Sequence, residues 1–87
     1  MREPSGRSVS LPAREIQRAR TQVAILRDRL TDERARTADL WLRALVAETP
    51  LADRAYRTGL QECLRIERAL AGAEDRLARL EREMAGA

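Results

Sequence analysis

The residues of this chain that could do chemistry are arginines, carboxylates and a single thiol. All 17 basic residues are arginine, and the sequence has no histidine. Histidine and lysine supply most general bases and amine nucleophiles in enzymes, and a phosphate-binding loop needs clustered glycines. The sequence offers none of these. We therefore expect no enzyme activity, no catalytic residue and no cofactor.

The thiol belongs to Cys63, the one cysteine of the chain. It has no partner for an intramolecular disulfide, and no histidine or second cysteine is present to share a metal ion. We therefore expect no metal site. The position of Cys63 in the heptad pattern described below predicts a small buried residue. A reactive thiol or an intermolecular bridge is the alternative.

Phosphate contact is the other chemistry that arginine can do. The net charge is +3, and Arg29, Arg36 and Arg43 lie along the first predicted helix as candidate phosphate contacts. Acidic residues such as Asp32 and Asp39 are interleaved with them, and no aromatic stacking platform accompanies them. We favour a solvated, charged helix face and keep nucleic-acid binding, with help from the basic N-terminal residues, as the alternative.

The elements that position these residues are two predicted helices with heptad repeats. Leu, Ala, Arg and Glu dominate the composition, which is typical of long helices and coiled coils. Apolar residues at the a and d positions of each repeat form a continuous seam. In the first helix the seam consists of Ile16, Ala19, Val23, Leu26, Leu30, Glu33, Thr37, Leu40 and Ala44. In the second it consists of Ala52, Tyr56, Gly59, Cys63, Ile66, Leu70, Ala73, Leu77, Leu80 and Met84.

The chain is long enough for one small domain. Residues 1–10 are polar, contain Pro and Gly and show no periodicity, which predicts a flexible basic tail. Residues 11–87 are predicted to form a hairpin, with a helix over 12–47, a turn at 48–50 and a helix over 51–84. Thr49 is the predicted N-cap and Pro50 the first helical residue, because proline suits the first turn. A kinked helix that continues through Pro50 is the alternative.

Charge decides between these two arrangements. The e positions, which flank the seam, are basic in the first helix and acidic in the second. They are Arg20, Arg27 and Arg34, and Glu67, Glu74 and Glu81. Such flanking charges favour antiparallel packing of one helix on the other. The predicted register places Arg20 beside Glu74 and Arg27 beside Glu67. The predicted fold is therefore all-α, with two long helices forming an antiparallel coiled-coil hairpin.

Two polar residues interrupt the first seam. The register places Glu33 opposite Cys63 and Thr37 opposite Gly59. A buried polar layer can fix the alignment of two helices. Alternatively, Glu33 turns sideways toward Arg34, Arg36 or Arg65 and remains solvated, which is the interpretation we favour.

Apolar residues that lie off the seam predict a protein interface at the turn end of the hairpin. The interface residues are Ala38, Trp41, Leu45, Leu60 and Leu64. A contiguous exposed apolar patch usually marks an interaction site. We expect a homodimer or higher homo-oligomer, in which two hairpins form a four-helix bundle. Capture of a different protein, with Trp41 and Tyr56 as anchors, is the alternative.

These features together predict a non-enzymatic protein-protein interaction module, serving as a small structural or regulatory subunit. No apolar run approaches the roughly 20 residues of a membrane span, and the first residues lack the apolar stretch of a secretory signal. We therefore expect a cytoplasmic location and no membrane contact. Heptads of this composition occur in many unrelated helical proteins, so they indicate no particular family.

Overall fold

A computed structural model shows two α-helices joined by a two-residue turn. Helix α1 spans Glu3–Ala47 and helix α2 spans Pro50–Gly86. The structure describes the backbone of residues 3–86 and the side chains of residues 11–86. Arg20 pairs with Glu81 and Arg34 with Glu67, so the helices run antiparallel. The molecule is an all-α hairpin with extents of 68 × 23 × 13 Å, which makes it one helix layer thick.

Helix α1 begins at Glu3, earlier than the predicted start at residue 12. Pro12 therefore lies inside the helix. A proline inside a helix lacks the amide that would bond to the preceding turn, which is why its position indicated a start. Helix α1 nevertheless continues through Pro12 to Ala47 without a break. The side chains of residues 1–10, the predicted tail, are outside the part of the chain that the structure describes. They include the basic residues Arg2 and Arg7.

The break between the helices is made by Glu48 and Thr49. Glu48 has a φ of 52°, in the left-handed region, and its amide donates to the carbonyl of Ala44 at 3.0 Å. This geometry ends α1 in the manner of an αL cap. The hydroxyl of Thr49 accepts a hydrogen bond from the amide of Ala52 at 3.1 Å, so Thr49 is the N-cap of α2. A continuous helix through Pro50 is excluded.

The core lies along the predicted seam. Every buried residue among the described side chains occupies an a or d position of the heptads. The central cluster consists of Leu26, Leu30, Cys63 and Ile66, with Leu70 and Ala73 packed against it. Periodic burial of this kind holds the hairpin together, because each buried leucine or isoleucine contributes about 1.5–3 kcal/mol. Met84, the last seam residue, is 40% exposed and lies near the end of α2.

At Thr37 and Gly59 the buried seam positions become small and polar. Thr37 is buried, and its hydroxyl lies 3.6 Å from the sulfur of Cys63. A Cβ placed on Gly59 would lie 2.7 Å from the hydroxyl oxygen of Thr37, so a side chain here would force Thr37 to move. The predicted layer of Thr37 and Gly59 is therefore present. Supercoiling of the helices and pairing of two hairpins into a four-helix bundle stay predictions.

Candidate protein-interaction surface

One broad side of the hairpin, here called the front face, carries a ladder of ion pairs between the helices. Each pair joins an Nη2 nitrogen of arginine to an Oε2 oxygen of glutamate. The pairs are Arg20–Glu81 at 3.2 Å, Arg27–Glu74 at 3.0 Å and Arg34–Glu67 at 2.9 Å. Their side chains remain between 40% and 63% exposed. Exposed pairs of this kind stabilise a fold by only a few tenths of a kcal/mol each.

The ladder corrects the predicted pairing of charges. Arg20 was expected beside Glu74 and Arg27 beside Glu67, but each arginine reaches the glutamate one heptad further along α2. The reason is the direction of helical side chains, which lean toward the N-terminus of their own helix. In an antiparallel pair, an arginine and a glutamate that lean this way approach each other only if the glutamate lies closer to the open end.

At the turn end of the front face the ladder gives way to apolar side chains. We call this region the tip patch, which comprises the five predicted interface residues Ala38, Trp41, Leu45, Leu60 and Leu64. All five are exposed. Trp41 retains 45% of its accessible surface, Leu45 53%, Leu60 42% and Leu64 50%. These values are high for large apolar residues of a folded protein, so the hairpin by itself leaves the tip patch uncovered.

The structure brings most of the tip patch together around one shallow groove. Ala38, Trp41 and Leu60 line it, with Tyr56 and Cys63 on its floor side and the Arg34–Glu67 pair at its border. Leu45 follows Trp41 by four residues, which places it on the same helix face.

Leu64 lies at the margin of the patch. It follows Leu60 by four residues and borders an outer groove on α2 with Gln61, Arg65 and Arg68. Ala38, Trp41, Leu45 and Leu60 are therefore the centre of the surface, and Leu64 is its edge.

A second front-face groove, nearer the open end, lies outside the five predicted interface residues. Arg20, Arg27, Glu74 and Glu81 border it, and small and medium apolar residues form its floor. These are Val23, Ala24, Leu77 and Ala78. The alanines at the b positions of both helices form it, because their short side chains leave space between the charged residues.

The opposite side, here called the back face, carries the candidate phosphate contacts. Arg43 pairs with Asp39 at 3.2 Å, and Nε of Arg36 lies 3.8 Å from a carboxylate oxygen of Glu33. Both pairs lie within α1 rather than between the helices. Among the described side chains, Arg29 makes no ion pair. Two of the three candidate arginines thus have an acidic neighbour, which lowers the positive charge that a phosphate would meet.

A broad groove also lies on the back face, with a volume of about 760 Å³. Its lining mixes the two signs of charge, with Glu33, Asp39 and Glu62 beside Arg36, Arg43 and Arg54. Such a lining selects neither anions nor cations.

Glu33 is less solvated than expected. Its side chain is only 15% exposed, and one carboxylate oxygen is buried without a hydrogen-bond partner. The side chain turns toward Arg36, which is one of the predicted directions. The 3.8 Å between Nε of Arg36 and the carboxylate oxygen of Glu33 is too long for a hydrogen bond. The interpretation of Glu33 as a solvated residue is therefore wrong, because most of its side-chain surface is covered.

Cys63 is buried and unpaired, with the hydroxyl of Thr37 as its neighbour. Across the residues that the structure describes, no group of three His, Cys, Asp or Glu side chains is arranged to hold a metal ion. Neither helix, within its described residues, contains a stretch that is long and apolar enough to span a bilayer.

Comparisons with known proteins identified no relative of this chain. A scan against protein-family models and searches of curated proteins and of solved structures found no match for the chain. The function is therefore inferred from the surface features of the hairpin.

Proposed function

We propose that the chain is a non-enzymatic protein-protein interaction module that associates through its tip patch. Self-association, most simply into a dimer, is the form we favour, with a structural or regulatory role for the assembly. The carrying observation is the exposure of Trp41, Leu45 and Leu60 on one side of the turn end. Aromatic and leucine side chains that cluster on a surface are the usual anchors of protein interfaces.

The weak seam beneath the patch supports this proposal. A hairpin of this thickness has one seam, and its buried positions nearest the turn are Thr37 and Gly59. The larger seam residues beyond them, Leu40 and Tyr56, are only partly buried. Small domains with little buried surface are commonly stabilised by oligomerisation. A second molecule on the tip patch would supply the apolar burial that the turn end lacks.

Leu45→Glu combined with Leu64→Glu tests the proposal. Wild type should have the mass of at least two chains at tens of micromolar in light scattering after size exclusion. The variant should be a monomer that remains helical, because both substitutions are at exposed positions. The matched control is Ile25→Glu with Leu42→Glu, which changes two equally exposed apolar residues off the front face.

A monomeric wild type would contradict self-association, and an unchanged mass of the Leu45→Glu, Leu64→Glu variant would contradict the placement of the interface. The control should keep the wild-type mass.

Nucleic-acid binding is the second candidate, and the local pairing of Arg36 and Arg43 speaks against it. If it occurs, binding to a mixed DNA or RNA pool should weaken steeply with salt and fall further in Arg29→Ala, Arg36→Ala. Absence of binding at low salt removes this candidate.

A further inference from the structure

We infer that the partner of the front face is a second copy of this chain, docked with its turn at the same end. This inference rests on the proposed self-association and specifies its geometry. The twofold axis runs parallel to the helices, between the two hairpins. Helix α1 of one copy then packs against α2 of the other at equal distance from the turn. All neighbouring helices in the resulting four-helix bundle are antiparallel.

The charge ladder is the first argument for this geometry. The front face is basic on α1 and acidic on α2 at three successive levels. With both turns at one end, Arg27 faces Glu74 of the second copy, and the other two levels match in the same way. With the turns at opposite ends, α1 packs on α1 and arginine faces arginine. Like charges at close range disfavour that arrangement, and opposite charges favour the first.

The unused hydrogen-bonding capacity of the ladder supports the same conclusion. Each pair of the ladder is joined through one guanidinium nitrogen and one carboxylate oxygen. Arginine has five N–H donors and glutamate two oxygens, so each pair can add a contact without breaking the one it has. Two pairs at one level can therefore close into a ring of four alternating charges, in which every charged group has two opposite neighbours.

The apolar residues match in the same arrangement. With the turns together, Trp41 and Leu45 of one copy lie against Leu60 and Leu64 of the other. With the turns opposed and the hairpins fully overlapped, the tip patch would lie on the charged ladder. Apolar contact drives the association, and the ladder selects its direction, because burying the charges alone costs about as much as their attraction returns.

The dimensions of the hairpin allow such an interface. A face of 68 × 23 Å exceeds the roughly 800 Å² per partner that stable interfaces bury. Alanines between the charged levels, such as Ala24 and Ala78 in the second groove, permit close approach of a facing helix.

A charge-swapped variant tests the geometry. Its three arginines Arg20, Arg27 and Arg34 are replaced by Glu, and Glu67, Glu74 and Glu81 by Arg. Each ladder pair inside the hairpin is kept with its signs exchanged, so the variant should fold and form its own dimer. Mixed with wild type, however, it would place like charges across the interface at every level.

The experiment is native mass spectrometry of an equal mixture after subunit exchange. The variant has the same composition as wild type, so one protein is labelled with ¹⁵N. Random pairing would make half of the dimers mixed. We expect mixed dimers to be depleted on the order of tenfold, because several weak charge contacts change sign together.

The outcomes separate the two proposals. Mixed dimers at half of the total or above would overturn the shared-end geometry and leave self-association intact, since opposed turns favour mixing. A wild type that stays monomeric would overturn the proposed function itself.

A distance measurement covers the case in which the swapped variant does not fold. Spin labels are attached to Leu11→Cys in a Cys63→Ala background, at an exposed position near the open end. With both turns at one end, the labels should lie within about 40 Å of each other, given helix diameters of about 10 Å. A separation beyond about 55 Å, from the 1.5 Å rise per residue, would overturn the geometry.

Discussion

The two halves of the hairpin are built in opposite ways. In the open half, large apolar residues such as Leu26, Leu30 and Ile66 are buried in the seam, and charged pairs cover the outside. In the turn half, the fully buried seam positions are Thr37 and Gly59. Leu40 and Tyr56 are only partly buried, and most other large apolar residues are exposed. Those exposed residues are Trp41, Leu42, Leu45, Val46, Leu51, Leu60 and Leu64.

The difference separates folding from binding along one short chain. Burial within the molecule stabilises mainly the open half. The turn half exposes the surface whose burial would stabilise it most. A partner that covers this surface therefore adds stability where the single chain has least.

The largest contrast is expected from the same substitution in each half. Leu30→Ala removes a buried side chain from the central cluster and should lower the free energy of unfolding by about 3 kcal/mol. Leu60→Ala removes a side chain that is 42% exposed, so it should cost the monomer less than about 1 kcal/mol. Urea unfolding followed by circular dichroism, at concentrations where the chain is monomeric, measures both. Equal losses would show that the two halves contribute alike.

A glycine-to-alanine pair sharpens the comparison at the seam. Gly59→Ala places a methyl group 2.7 Å from the hydroxyl oxygen of Thr37 and should destabilise the hairpin by about 1–2 kcal/mol. Gly72→Ala has nothing within 4 Å of the new methyl group and should stabilise α2 by up to about 1 kcal/mol. Thermal unfolding should give midpoints that move in opposite directions. A rise in both midpoints would mean that the helices do not approach closely at Gly59.

The smallest effect concerns the turn that joins the two halves. Glu48 holds a left-handed backbone conformation with a φ of 52°, which glycine adopts without the steric cost of a side chain. Glu48→Gly should therefore stabilise the hairpin by about 0.5–1 kcal/mol. Glu48→Ala is the control, since it removes the carboxylate and keeps the strained Cβ. If both variants gain equally, charge rather than backbone conformation is responsible.

The main elements of this fold were predictable because they follow from periodicity. The heptads predicted which residues are buried, and Thr49–Pro50 predicted the break between the helices. Position in a heptad also identified Trp41 and Leu60 as lying off the seam.

The details that failed depend on the direction of individual side chains. The ladder register is one heptad off because both partners lean toward their own N-termini. Glu33 is more buried than predicted, and its side chain turns toward Arg36 at only 15% exposure. Heptad spacing assigns a residue to a face, and it contains no information about rotamers.

Fluorescence of Trp41 tests the central claim, that association covers the turn half, most directly. It is the one tryptophan of the chain, and it is 45% exposed in the single hairpin. As the protein concentration rises, its emission should shift to shorter wavelength and become less accessible to acrylamide. The Leu45→Glu, Leu64→Glu variant should show neither change. The claim would be contradicted if the particle mass of wild type doubles with concentration while the emission and quenching of Trp41 remain those of an exposed indole.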